Sequence, residues 1–243
     1  MKQLDIDNWY KAKIDKKIYK QLTKRSDWQG LKHVSVWIFF LILSGYIAYL
    51  SWGTWWAIPA FLVYGNIFMA CNPVWHECGH RTAFKTRWLN ELFYHIGSFM
   101  YNFEPVRWRW SHFHHHSYTL HTNPYDYEVQ VTKPTDLFYV FLMHLPGGNL
   151  LLIFKGILSF HWETIKHAVG ITTPVMKDCI PKNERSKCRF FSRLHISIWL
   201  LIIAYSIFIS SWLPVMLILL PQLPIYGSHI IGKLRNTKFA LSL

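Results

Sequence analysis

Two long stretches of the chain carry no charge, and the charges are gathered between and around them. From Val34 to Trp75 there is no Lys, Arg, Asp, Glu or His. A helix needs about 20 apolar residues to cross roughly 30 Å of hydrocarbon. This run therefore holds two crossings, with a break at Ser51-Trp52-Gly53-Thr54. Trp52, Trp55 and Trp56 at the break suit a membrane interface. The second run extends from Ile196 to Gly232, with His229 its one titratable residue. It breaks near Ser210-Ser211-Trp212-Leu213-Pro214, and its second half, with Pro221, Gln222 and Pro224, reads as kinked or broken. The pattern predicts an all-α, multi-pass membrane protein with about four transmembrane helices in two hairpins.

The segments between these runs have patterns of their own. Tyr10, Ile14, Ile18 and Leu22 recur every four residues among lysines, so residues 1–33 read as a basic amphipathic segment lying on headgroups. Residues 34–243 form the membrane domain. Residues 89–103 and 137–160 read as interfacial or re-entrant pieces, and 172–193 as a polar loop.

Charge sets the orientation. The 243 residues hold 26 Lys+Arg and 13 Asp+Glu, a formal net charge of +13. Nine of the basic residues precede Val34, fourteen lie between His76 and His195, and three follow Gly232. The turn between the first two crossings has none. The positive-inside rule then puts both ends and the long middle loop in the cytoplasm. An anionic membrane surface accounts for the excess charge and for the uncharged runs, so nucleic acid is not expected as a partner. The four cysteines are expected as free thiols in a reducing compartment.

Fourteen histidines stand in this chain. His76 and His80 are spaced i, i+4, and His112, His115 and His116 are spaced i, i+3, i+4. Each set falls on one face of a helix, with His114 off that face. Five imidazoles gathered at one membrane surface would leave many donors and acceptors unsatisfied without a metal ion. Imidazole suits Fe, Zn, Cu and Ni alike. His76-Glu77-Cys78-Gly79-His80 also fits the H-E-x-x-H pattern of zinc proteases, but that chemistry leaves the second set unused. His144-Leu145-Pro146-Gly147-Gly148 departs from a haem-binding His-Pro-Gly-Gly by one insertion. Glu91/His95 and Glu163/His167 have the wrong spacing for a soluble di-iron bundle.

The two sets, in the contexts Asn72-Pro73-Val74-Trp75-His76-Glu77-Cys78-Gly79-His80 and Trp108-Arg109-Trp110-Ser111-His112, resemble the first two histidine boxes of the membrane fatty acid desaturase family. Gln222-Leu223-Pro224-Ile225-Tyr226-Gly227-Ser228 resembles the segment leading into that family's last box. The resemblance implies four transmembrane helices, a cytoplasmic histidine-bearing cap and a di-iron centre. It implies removal of two hydrogens from a fatty-acyl lipid or acyl thioester, using oxygen and electrons from cytochrome b5 or ferredoxin. It also implies an integral membrane location with the site on the cytoplasmic side, in the endoplasmic reticulum or a bacterial inner membrane. The metal ligands carried over are His76, His80, His112, His115 and His116, with His121 near enough to add one. The family's third box, His/Gln-x-x-His-His, has no counterpart before Leu243. The chain is therefore expected to be a fragment, a truncated product or a divergent one-metal protein, holding at most one iron and inactive unaided. A hydroxylase or alkane monooxygenase with the same boxes, and an inactive lipid-binding membrane protein, are the alternatives.

Overall fold

A computed structural model describes residues 14–117 and 162–222, and among these the chain is helical with no strand. The helices are α1 (Lys16–Leu22), α2 (Asp27–Ser51), α3 (Ala57–Met69), α4 (Asn72–Gly79), α5 (Arg87–Met100), α6 (Pro105–Ser117), α7 (162–168), α8 (Pro174–Cys179) and α9 (Arg185–Phe208). A π-helical turn at Val215–Leu219 and a 3-10 turn at Leu220–Gln222 close the described part.

Among the described residues, three helical stretches are long and apolar enough to cross a membrane: Asp27–Ser51, Ala57–Gly79 and Lys182–Phe208. Their outer surfaces are apolar. Phe39 is 60% exposed, Ile42 66%, Leu201 68% and Phe208 85%. Water would penalise so much apolar surface, whereas lipid does not. The first two spans turn back at Gly53, which takes φ 82°. They pack through a bond from Trp37 Nε1 to the Ile67 carbonyl at 3.0 Å. The return segment expected after α9 is described only from Pro214 to Gln222. There Tyr64 Oη donates to the Leu217 carbonyl at 2.9 Å, and Trp199 Nε1 donates to Gln222 Oε1 at 3.2 Å.

Several expectations change. α2 starts at Asp27, ahead of the uncharged run, because Ser26 caps its first turn and accepts from the Gln29 amide. Residues 89–103 are mostly the regular helix α5. It buries Asn90, Tyr94, Gly97 and Ser98 on one face and leaves Trp88, Leu92 and Ile96 exposed on another. The polar stretch 172–193 is not a loop. Pro174 opens α8 behind the Thr173 cap, and α9 begins at Arg185, well before its apolar part. Residues 137–160, His121, His144 and the tail from Leu223, including His229, lie outside the described residues.

α1 has no buried residue; Ile14, Ile18 and Leu22 are exposed beside Lys16, Lys17 and Lys20.

Candidate metal centre

α4 and α6 each present one helical face of histidines, and α5 joins them. α4 ends at its C-cap, His80, because Arg81 turns left-handed at φ 61°. The Arg81 amide then donates to the Cys78 carbonyl at 2.9 Å and the Thr82 amide to the Glu77 carbonyl at 3.0 Å, satisfying the helix end. Glu77, the candidate protease base, accepts from the Thr82 hydroxyl at 2.6 Å.

The imidazoles of His76, His80, His112 and His116 converge, with one ring nitrogen of each inside a 4.8 Å group. Their Nε2 atoms form a chain. His80 lies 3.2 Å from His76 and 3.0 Å from His112, and His116 lies 3.1 Å from His112. Protons alone cannot satisfy this chain. A neutral ring nitrogen either donates one N–H or accepts on one lone pair, so no choice of tautomers makes all three contacts. A cation accepts every lone pair at once. Two nitrogens each about 2.0–2.1 Å from one ion stand about 2.8–3.4 Å apart at right-angled to tetrahedral geometry. The donor set therefore fits a metal ion. Burial, and then the neighbouring rings of His112, His76 and His116, push the His80 pKa down to about 4, which keeps it in the neutral, ligating form.

A cavity of about 420 Å³ opens over the cluster, lined by His80, His112, His116, Trp108, Arg81 and Arg109 among others. Trp108 stacks on His112 with centroids 4.3 Å apart and planes at 14°.

Of the other candidates, His115 stands beside this group, its ring centroid 5.6 Å from that of His112 and 5.7 Å from that of His116. His114 lies off the cluster's face, against Phe113. The spacing admits three residues of α6; the approach of α4 selects His112 and His116.

Sequence patterns did not reveal the residues that hold the two helices. Glu91 on α5 accepts from Arg81 Nε at 2.7 Å and from Arg109 Nη2 at 3.1 Å. Burial would raise its pKa, but the bonds from the two guanidinium groups carry it below the usual carboxylate range. Tyr94 donates to the Pro105 carbonyl and lies under the Arg109 guanidinium at 4.2 Å. Glu104 caps α6, accepting from the amides of Val106 and Arg107, and takes the Cys188 thiol of α9 at 2.9 Å. Its complete burial pushes the pKa up to about 7 despite those bonds. Arg107 pairs with Glu163 of α7 at 3.0 Å. A lone Glu before a proline gives no spacing signal, so tertiary contact alone identifies Glu104.

Apolar spans joined to a histidine cluster define a membrane protein equipped to hold a metal ion. The family model described as fatty acid desaturase matches residues 53–231, and the chain belongs to that family. The sn-1 oleoyl-lipid 12-desaturase of Synechocystis is 31% identical over 138 residues, 55% of this chain and 37% of that protein. The Delta(12) fatty acid dehydrogenase of Crepis alpina is 29% identical over 126 residues, 49% of this chain and 31% of that protein. The sn-1 acyl-lipid omega-3 desaturase (ferredoxin) of Nostoc is 32% identical over 104 residues, 38% of this chain and 29% of that protein. The chain thus spans about a third of the length of these curated relatives. No solved structure matches it.

Proposed function

We propose that this chain serves the oxygen-dependent desaturation of fatty-acyl chains, with iron as its metal. The observation that carries the reading is the Nε2 chain of His76, His80, His112 and His116 in a member of the fatty acid desaturase family. These four would hold one ion, with His115 and His121 as further donors; the pair of ions that the family resemblance implies would need ligands beyond these. Iron there supplies the oxygen chemistry that an unactivated C–H bond requires. The residues of the chain do the remainder. Neutral imidazoles offer lone pairs, Trp108 walls the cavity with apolar surface, and the spans bring the site to the level where an acyl tail is available.

The substrate on this reading is the acyl chain of a membrane lipid, as the names of two relatives support. A ferredoxin- or cytochrome b5-like protein supplies electrons, and a relative named with ferredoxin favours the former. The basic flanks support a multi-pass topology with the site on the cytoplasmic side, and α1 lying on the headgroups.

The test is expression in cells that supply the electron donor, with the chain alone or joined to a relative's segment carrying a third histidine box. Iron content and new double bonds in extracted fatty acids are measured. Product that disappears with His112→Ala supports the reading. A chain that takes up no iron, or product indifferent to His112→Ala, overturns it.

A further inference from the structure

The two histidine pairs sit on separate helices, so the cluster is only as well formed as the spacing of α4 and α6. A metal site tolerates errors of about 0.5 Å in that spacing. We propose that Glu91 is a positioning residue for the cluster, a carboxylate clamp that fixes the separation of its two histidine pairs; this rests on the metal reading above.

The geometry is specific. One oxygen of Glu91 binds Arg81, the residue directly after His80, at 2.7 Å, and the other binds Arg109, one turn before His112, at 3.1 Å. Arg109, His112 and His116 share a stripe of α6, at i, i+3 and i+7. The clamp thus grips each histidine-bearing element at a point adjoining its ligands, and Arg81 and Arg109 are both among the residues lining the cluster's own cavity. Arg81 is also the residue whose left-handed turn ends α4, and that conformation is costly for a side chain with a Cβ. A bond to its side chain holds the turn in place. The carboxylate itself is anchored, because α5 is fixed to both neighbours. Ser98 accepts from Trp75 Nε1 of α4 at 2.8 Å, and Tyr94 donates to the Pro105 carbonyl of α6.

The Arg107–Glu163 pair provides an internal comparison. It too ties α6 through an ion pair, at 3.0 Å, but Arg107 lies about 200° round the helix from Arg109. It holds α6 to α7.

The experiment is a Co²⁺ titration of the full chain in lipid nanodiscs, reading affinity against a competing chelator and the visible absorption of bound Co²⁺. Glu91→Gln keeps one acceptor and turns a donor toward the second guanidinium. It is expected to weaken Co²⁺ binding about ten- to hundredfold, the effect typical of residues that orient ligands, and to alter the Co²⁺ spectrum. Glu91→Asp, which restores both acceptors, recovers part of each. Glu163→Gln lowers the melting temperature but leaves affinity and spectrum as in the wild type. Should Glu91→Gln fail to fold, Arg81→Gln cuts one arm of the clamp and carries the same expectation. An unchanged affinity and spectrum in a folded clamp variant, or an equal loss in Glu163→Gln, overturns the clamp while the metal reading stands. A wild-type chain that binds no Co²⁺ overturns both.

Discussion

A side chain on Gly79 would set its Cβ 2.4 Å from the Trp108 ring. The bare glycine lets the indole slip between α4 and α6, flat against His112 and edge-on to His76, whose centroid is 5.5 Å away. One missing side chain therefore governs how closely two ligand-bearing helices approach.

Gly79→Ala should accordingly push Trp108 out of register. The expected cost is about 1–3 kcal/mol, as for other overpacked cores, with weaker metal uptake alongside. Denaturant unfolding in detergent micelles checks the first and metal analysis of the same preparations the second. A variant as stable as the wild type would deny the indole its role.

Alanine substitutions should rank by position in the nitrogen chain. His80 and His112 each adjoin two other Nε2 atoms, while His76 and His116 adjoin one. His80→Ala and His112→Ala should lose the most metal, His76→Ala and His116→Ala less, and His114→Ala little. Elemental analysis of purified protein gives the order directly, and a His114 effect equal to that of His112 would break it.

Glu104 makes stability depend on pH in a defined direction. Its folded pKa of about 7 lies above the unfolded value of 4.5, so the folded state binds the extra proton between these values. Stability from this group is complete below pH 4.5 and is lost as pH rises toward 7. The loss is on the order of 3 kcal/mol at most. Glu104→Gln cannot titrate. The stability of the wild type relative to Glu104→Gln should fall across that window, which melting curves at matched pH will show.

The sequence was most legible where one helix acts alone. The run from Val34 to Trp75 announced two spans and their break, and the i, i+4 spacings announced which faces of α4 and α6 carry imidazoles. What remained hidden depends on pairs of elements. Nothing local distinguishes His116 from His115, because both share a face with His112; the approach of His80 decides. Glu91 and Glu104 look like ordinary helix and loop residues until Arg109 and Cys188 are brought to them. The apparent loop at 172–193 misled because it holds the short helix α8 and the charged first turns of α9, which run on into the apolar half of that helix.

Orientation can be read chemically. All four native cysteines are buried, so a single introduced thiol should dominate labelling. Thr54 and Lys85 are both exposed, at opposite ends of the second span. An impermeant maleimide applied outside intact cells should modify Thr54→Cys and spare Lys85→Cys. The reverse result would turn the proposed site to the other face.

The carboxylate of Asp27 takes both the amide and the hydroxyl of Thr86, at 2.8 and 2.7 Å. The foot of the first span is thereby bolted to the start of α5, the helix that carries Glu91. A span longer than its bilayer responds by tilting, at a modest cost for each ångström of mismatch. Tilt of α2 would be passed to the start of α5 through these two bonds. With Glu91 clamping the histidine pairs as proposed above, the thickness of the surrounding bilayer, itself a product of acyl length and unsaturation, would bear on the spacing of the imidazoles.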